Sequence, residues 1–285
     1  MGYQAGEVGV ADLVAEVPGL AAFTLEAHQL AQLDSKDMDV PTWQRLAQAV
    51  LSHVQREDVT GVVITHGTDT LEETAYFLHR VLPQSKPVVL TAAMRPTTAL
   101  LRDGPQNLLD AVRLAALPGA QGVLVLLAGQ VHAAHAVRKV HSYAVAAFAS
   151  PESGPLALME EGAVRQLHAW PQQAEAPLAL RAWMKDVQQW PRVEIVLNHV
   201  GADGRLVDAL LAQGVVGLVV AGTGNGTVST GLAQALDRAQ AQGVAVLRST
   251  RCDAGAVVGE GRWPHAGSLG PVKARIALQL ELLQR

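Results

Sequence analysis

The sequence predicts an α/β protein, with a larger N-terminal parallel-sheet domain and a smaller C-terminal α/β domain. Three observations carry this. Short apolar runs rich in β-branched residues alternate with longer segments of helical period. The runs are apolar throughout, not at every second residue. The rhythm stops across one proline- and glutamine-rich stretch and then resumes. Continuous apolar strands separated by helices indicate a parallel sheet covered on both faces.

The elements follow in order. Gly61–Thr65 (GVVIT) reads as a buried strand, followed by a polar turn and a helix over Leu71–Leu82. Pro87–Thr91 (PVVLT) reads as the next strand, Asn107–Ala116 as its helix, and Gly122–Leu127 (GVLVLL) as a third strand. The pattern returns with strands at Val193–Leu197, Gly217–Val220 and Val244–Arg248, helices between them, and a closing helix from about Pro271. His168–Pro191 holds three prolines and four glutamines with little periodicity, and reads as a linker with one short helix around Leu178–Val187. The expected organisation is residues 1–167, linker 168–191, and residues 192–285.

Composition narrows the function classes. With 49% hydrophobic and 17% charged residues the chain is globular, not disordered. A net charge of −4 argues against a nucleic-acid partner. No apolar run approaches the ~20 residues that span a bilayer, so no membrane partner is expected. The single Cys252 excludes an internal disulfide. Met1–Val10 carries no signal-peptide pattern; the cytoplasm is the default expectation, and a periplasmic location requires a signal peptide upstream.

In parallel sheets, ligands sit beyond the C-terminal ends of the strands, so the residues there decide the chemistry. The first strand ends in Thr65-His66-Gly67-Thr68-Asp69-Thr70 and turns directly into a helix. One reading is purely structural: Thr70 and Glu73 form a capping box, with Asp69 near the positive helix end. The other is functional: helix amides take a substrate carboxylate, Asp69 holds an α-ammonium, and the Thr68 hydroxyl positions or activates water. The second strand ends in Thr91-Ala-Ala-Met-Arg95-Pro96. Asp103 is read as the cap of the next helix, with Pro105 in its first turn. Arg95 is read as an ion-pair partner of Asp103 or a glutamate before it is read as a catalytic group.

The run His132-Ala-Ala-His135-Ala-Val-Arg138-Lys139-Val-His141 lacks the glutamate and third ligand of a zinc motif, so no metal site is expected. Lys139 lies between two valines. Drawn into a partly desolvated site, it would take part in proton transfer; left outside, it is a solvated lysine. Ala221-Gly222-Thr223-Gly224-Asn225-Gly226-Thr227 is a glycine-rich strand-to-helix turn that could cradle phosphate. Its spacing is not that of a dinucleotide site, and the following strand ends without the acidic ribose ligand.

Together these segments resemble the bacterial L-asparaginase (asparaginase/glutaminase) family. The likeness rests on Thr65–Thr70 (THGTDT) with Glu72-Glu73-Thr74-Ala75, on Ala92–Pro96 (AAMRP), on Asp103–Leu108 (DGPQNL) and on Gly222–Gly226 (GTGNG). It implies a flavodoxin-like N-terminal domain and hydrolysis of L-asparagine to L-aspartate and ammonia through threonine nucleophile chemistry. No metal or organic cofactor is implied.

Carried over residue by residue, the resemblance makes Thr68 the threonine that works with a water on the scissile amide. Asp69 binds the substrate α-amino group, and Lys139 completes a triad with them. Ser35 binds the α-carboxylate, and the Ala93 carbonyl lies near the side-chain amide. Tyr3 matches a lid tyrosine. Asn225 and Glu260 match positions that reach a neighbouring subunit's site, in a homotetramer built as a dimer of dimers.

Two departures stand out. The family's N-terminal strand, ending in a threonine-glycine-glycine-threonine-isoleucine motif that supplies the primary nucleophile, has no counterpart in the sequence. The expectation is a lost start, with impaired turnover if the chain begins at Met1 and with apolar surface and sheet backbone left uncovered. Thr68 as a substitute nucleophile is the weaker reading. In addition, Lys36 replaces a glutamine found in some relatives. The alternative functions are a non-catalytic amino-acid-binding or regulatory protein and, less well supported, a nucleotide-binding α/β protein.

Overall fold

A computed structural model describes residues 9–172 and 177–285. Contacts divide the chain into two units, Met1–Leu178 and Ala179–Arg285. The division falls inside the stretch read from sequence as a linker, and the short helix expected there, α5 in chain order, spans Leu180–Trp183.

In the first unit, α1 (Val10–Ala15) and two 3₁₀ turns, Pro18–Ala22 and Ser35–Asp37, precede α2 (Val40–Val54). Two β/α repeats and a third strand follow: β1 (Val62–Thr65), α3 (Leu71–Val81), β2 (Pro87–Thr91), α4 (Gly104–Ala115) and β3 (Gly122–Leu127). The strands β1, β2 and β3 are parallel, with Thr65 beside Thr91 and Leu90 beside Val125. Every residue of β2 and β3 is buried, which is why these segments read as unbroken apolar runs. Val89, Leu124 and Leu126 pack against Ala111 and Leu114 of α4 on one face. Full burial of such a side chain contributes about 1.5–3 kcal/mol.

The sheet then changes character. β4 (Gln130–Ala133), β7 (Ala157–Glu160) and β8 (Ala163–Gln166) extend it in antiparallel fashion, in the order β1-β2-β3-β4-β7-β8; a separate ribbon pairs β5 (Arg138–Lys139) with β6 (Phe148–Ala149). The sequence reading held only the parallel strands. β3 and β4 join through Ala128 (φ 49°) and Gly129 (φ 73°), two left-handed residues that turn the chain back as a tight hairpin. An alanine in that position gives no hairpin signal. Among the described residues β1 is an end strand, paired only with β2, and its Thr65 is exposed.

Asn107 of α4 ties the strand ends together. Its Nδ2 donates to the Ala92 carbonyl at 2.9 Å, and its Oδ1 accepts from the Ala128 amide at 3.0 Å. Asn107→Leu leaves a buried carbonyl and an amide without these partners, and should cost about 1–3 kcal/mol in urea denaturation. An unchanged midpoint would show that the amide bridge holds nothing.

In the second unit, β9 (Val193–Leu197), β10 (Gly217–Gly222) and β11 (Ala245–Thr250) form a parallel sheet with β10 central. Residues of α6 (Arg205–Ala212) and α7 (Thr230–Ala241) cover one face, around Leu218, Val220 and Leu232. α8 (Pro271–Leu282) covers the other, around Val219 and Leu278.

Candidate active site

The turn after β1 brings the expected residues together. Lys139 Nζ donates to Thr68 Oγ1 at 2.9 Å and pairs with Asp69 Oδ1 at 2.5 Å. The lysine side chain is 17% exposed and the Asp69 carboxylate 56%, so the cation is enclosed while the carboxylate faces outward. Lys139 reaches this place because its own amide donates to Glu72 Oε1 of α3 at 3.1 Å. Glu72 anchors the ribbon, a role that sequence reasoning missed although the residue lies beside the motif.

Ser35 joins the same turn from 34 and 35 residues upstream of the groups it binds. It is 2% exposed; its Oγ accepts from the Asp69 amide at 3.2 Å, and its carbonyl accepts from Thr70 Oγ1 at 2.6 Å. This corrects the capping-box reading: the Thr70 hydroxyl turns to Ser35, and α3 starts without a side-chain cap from it. Gly67 permits the approach, since a Cβ there would lie 2.6 Å from Ser35 Oγ. Lys36 pairs with Asp34 at 2.6 Å and with Asp37 at 3.3 Å, and the hydrogen bonds that its side chain and its amide donate to Asp34 hold that carboxyl below its ordinary range.

Beneath the turn lies a hydrogen-bonded chain that the sequence did not announce. Trp43 Nε1 donates to Thr74 Oγ1 at 2.9 Å, Thr74 Oγ1 lies 3.0 Å from His66 Nε2, and His66 Nδ1 lies 2.7 Å from the Gly67 carbonyl. Burial pushes the His66 pKa below the ordinary histidine value, partly opposed by the Gly67 carbonyl.

At the neighbouring strand end, Asp103 accepts from the Met94 and Arg95 amides at 2.8 and 2.9 Å. It caps the turn after β2, with no side-chain cap on α4. The Arg95 guanidinium donates to the Leu101 carbonyl, so the expected ion pair with Asp103 is replaced by a backbone contact. Ala93 sits in this turn, next to Ala92 whose carbonyl Asn107 holds.

The histidines separate. His132 is buried with Nδ1 at 3.0 Å from Ser150 Oγ, and His141 Nδ1 accepts from the Tyr143 and Ala144 amides. Among the described residues, ligand-type atoms converge at Glu26, His28 and His53 instead, where Arg56 holds both oxygens of the Glu26 carboxylate.

In the second unit, Asn225 clasps a facing loop: its Nδ2 donates to the Val258 carbonyl and its Oδ1 accepts from the Val258 amide, at 2.9 and 2.8 Å. Glu260 follows two residues later, exposed. The glycine-rich turn closes on itself through reciprocal Thr223–Thr227 backbone bonds, so those two amides are engaged and unavailable to a phosphate. Tyr3 lies outside the described residues.

A hydroxyl, an enclosed ammonium and an outward carboxylate are gathered at the C-terminal end of a parallel sheet, the place where open α/β sheets bind their ligands. Comparison with known proteins makes this specific. Residues 2–172 match the family description "Asparaginase, N-terminal", and residues 192–285 match "Glutaminase/Asparaginase C-terminal domain". "L-asparaginase 2" of Escherichia coli (strain K12) is 36% identical over 294 residues, covering 99% of this chain and 83% of its own. "Probable L-asparaginase periplasmic" of Haemophilus influenzae is 35% identical, covering 99% and 82%. The crystal structure of "Probable Cytoplasmic L-asparaginase" from Campylobacter jejuni superposes with a TM-score of 0.91 at 34% identity, covering all of this chain and 90% of that one. The chain belongs to the asparaginase family.

Proposed function

We propose that the protein hydrolyses L-asparagine to L-aspartate and ammonia by threonine nucleophile chemistry. The observation that carries the reading is Lys139 Nζ within reach of both Thr68 Oγ1 and Asp69 Oδ1. Asp69 receives the α-ammonium, Ser35 the α-carboxylate, and the Ala93 carbonyl lies beside the side-chain amide. Thr68 and Lys139 manage the water. Thr68 and Lys139 relay the water's proton to the departing threonine oxygen while the water oxygen bonds to the acyl carbon. With an acyl-enzyme, the ester to the threonine breaks in that step; ammonia has left in the preceding one.

The assembly we propose is a homotetramer, a dimer of dimers, in which Asn225 and Glu260 reach a neighbour's site; light scattering should give the mass of four chains. A monomer would remove that part of the reading.

Ammonia release from L-asparagine, with L-glutamine as comparator, tests the chemistry. It is measured for this chain and for a form bearing an N-terminal threonine-glycine-glycine-threonine-isoleucine strand, each with and without Thr68→Ala. Release should fall about 10²–10⁴-fold on the substitution. Release that ignores Thr68 in both forms overturns the proposal, and equal Thr68-dependent release in both assigns the attack itself to Thr68.

A further inference from the structure

The direction of the hydrogen bonds under the turn can be worked out atom by atom. The Gly67 carbonyl only accepts, so His66 Nδ1 carries a proton and donates to it. In the neutral ring Nε2 is then an acceptor, and the hydroxyl 3.0 Å away supplies its proton: Thr74 Oγ1–H donates to His66. That leaves the Thr74 lone pairs to the Trp43 indole N–H, a donor only. The chain therefore runs one way, Trp43 to Thr74 to His66 to the Gly67 carbonyl, and every polar atom in it has a use.

Its origin is rigid. Trp43 is 7% exposed and stacks on Phe77, with ring centroids 4.9 Å apart and planes within 9°; Thr74 and Phe77 are fully buried on α3. Its end is the peptide that joins Gly67 to Thr68. The carbonyl that His66 grips fixes the tilt of that peptide, and from it project the Thr68 hydroxyl and, one residue on, the amide that Ser35 receives and the carboxylate that Lys139 meets.

We infer that His66 is a positioning residue of the amide-hydrolysing site: the relay from Trp43 through Thr74 orients its ring, and the ring orients the Gly67–Thr68 peptide that aims Thr68 and Asp69. This rests on the roles proposed above for Thr68, Asp69 and Lys139. His66 touches neither substrate nor water; it acts through the turn.

The test uses the whole chain. In ¹⁵N-histidine-labelled protein at neutral pH, the ring signals that vanish in His66→Asn should be those of the neutral, Nδ1-protonated tautomer. The Nε2-protonated tautomer would overturn the relay, and this readout is independent of turnover. In kinetics on L-asparagine, His66→Leu should lower kcat per folded enzyme about 10²-fold, the scale of a small misplacement of reacting groups. His66→Asn, whose amide can still reach the Gly67 carbonyl, should recover most of that loss. Thr74→Val, of matching size, keeps the test open if His66→Leu does not fold, and should lower kcat in the same direction. If kcat per folded enzyme is unchanged in His66→Leu or Thr74→Val while Thr68→Ala abolishes release, the positioning role fails alone. If Thr68→Ala has no effect, the proposed function fails, and the tautomer still decides the relay.

Discussion

Lys139→Met should reduce kcat/KM for ammonia release from L-asparagine by about 10²–10⁴-fold, while shifting unfolding by less than about 1 kcal/mol. Methionine keeps an apolar stem of similar length and loses the three N–H donors. Two contacts disappear: the one to Thr68 Oγ1 at 2.9 Å and the one to Asp69 Oδ1 at 2.5 Å. The ion pair has one partner 56% exposed, and pairs of that kind contribute little to stability. Arg138, the residue before Lys139 on the strand, alternates to the opposite side of the ribbon and does not take over the contacts to Thr68 and Asp69. Activity measured beside thermal unfolding separates the two effects. Retained kcat/KM would remove Lys139 from the chemistry; a large loss of stability would make it a structural cation instead.

The second large effect comes from a single methyl group. Gly67→Ala places a Cβ 2.6 Å from Ser35 Oγ and 2.8 Å from Ser35 Cβ, closer than real contacts allow. Ser35 is buried and held at two points, so it cannot swing aside without giving up the Asp69 amide or the Thr70 hydroxyl. On the proposed roles Ser35 takes the substrate carboxylate, so its displacement should raise KM for L-asparagine by about 10²-fold, with about 1–3 kcal/mol lost from overpacking. Ser35→Ala in the same background removes the Oγ clash and leaves the Cβ contact, so it should restore part of the stability without restoring KM. An alanine variant with wild-type KM would show that Ser35 does not contact the substrate.

Both results depend on features of different legibility. The THGTDT turn was legible because strand, turn and helix follow one another without a gap, and a local pattern records local geometry. The partners of that turn come from far away: Ser35 from a 3₁₀ turn before α2, Lys139 from a two-residue ribbon after β4, Trp43 from α2. The resemblance supplied Ser35 and Lys139, since family motifs store long-range contacts that spacing does not. His66, Glu72 and Thr74 stand in the quoted motif but carried no role there, and a tryptophan 31 residues from its threonine gives no periodic signal.

Two local readings were reassigned by neighbours. Thr70 and Glu73 have the spacing of a capping box, yet the Ser35 carbonyl takes the Thr70 hydroxyl at 2.6 Å. Asp103 stands where a helix cap belongs, and its carboxylate serves the Met94 and Arg95 amides of the preceding turn. In each case a short polar side chain had two acceptable partners, and packing chose between them.

By itself the sequence determined the alternation of buried parallel strands and covering helices in both halves, the polar turn at the end of β1, and the family. Hydrophobic periodicity is written residue by residue, and burial on both faces of a strand leaves an unbroken apolar run. Only the tertiary structure decided that the sheet continues antiparallel beyond β3, that Glu72 and the Trp43–Thr74–His66 chain serve the turn after β1, and which atom each hydroxyl serves. Those outcomes turn on close approach between distant segments, where a glycine without a Cβ or a left-handed alanine settles the geometry, and no window along the chain contains both partners.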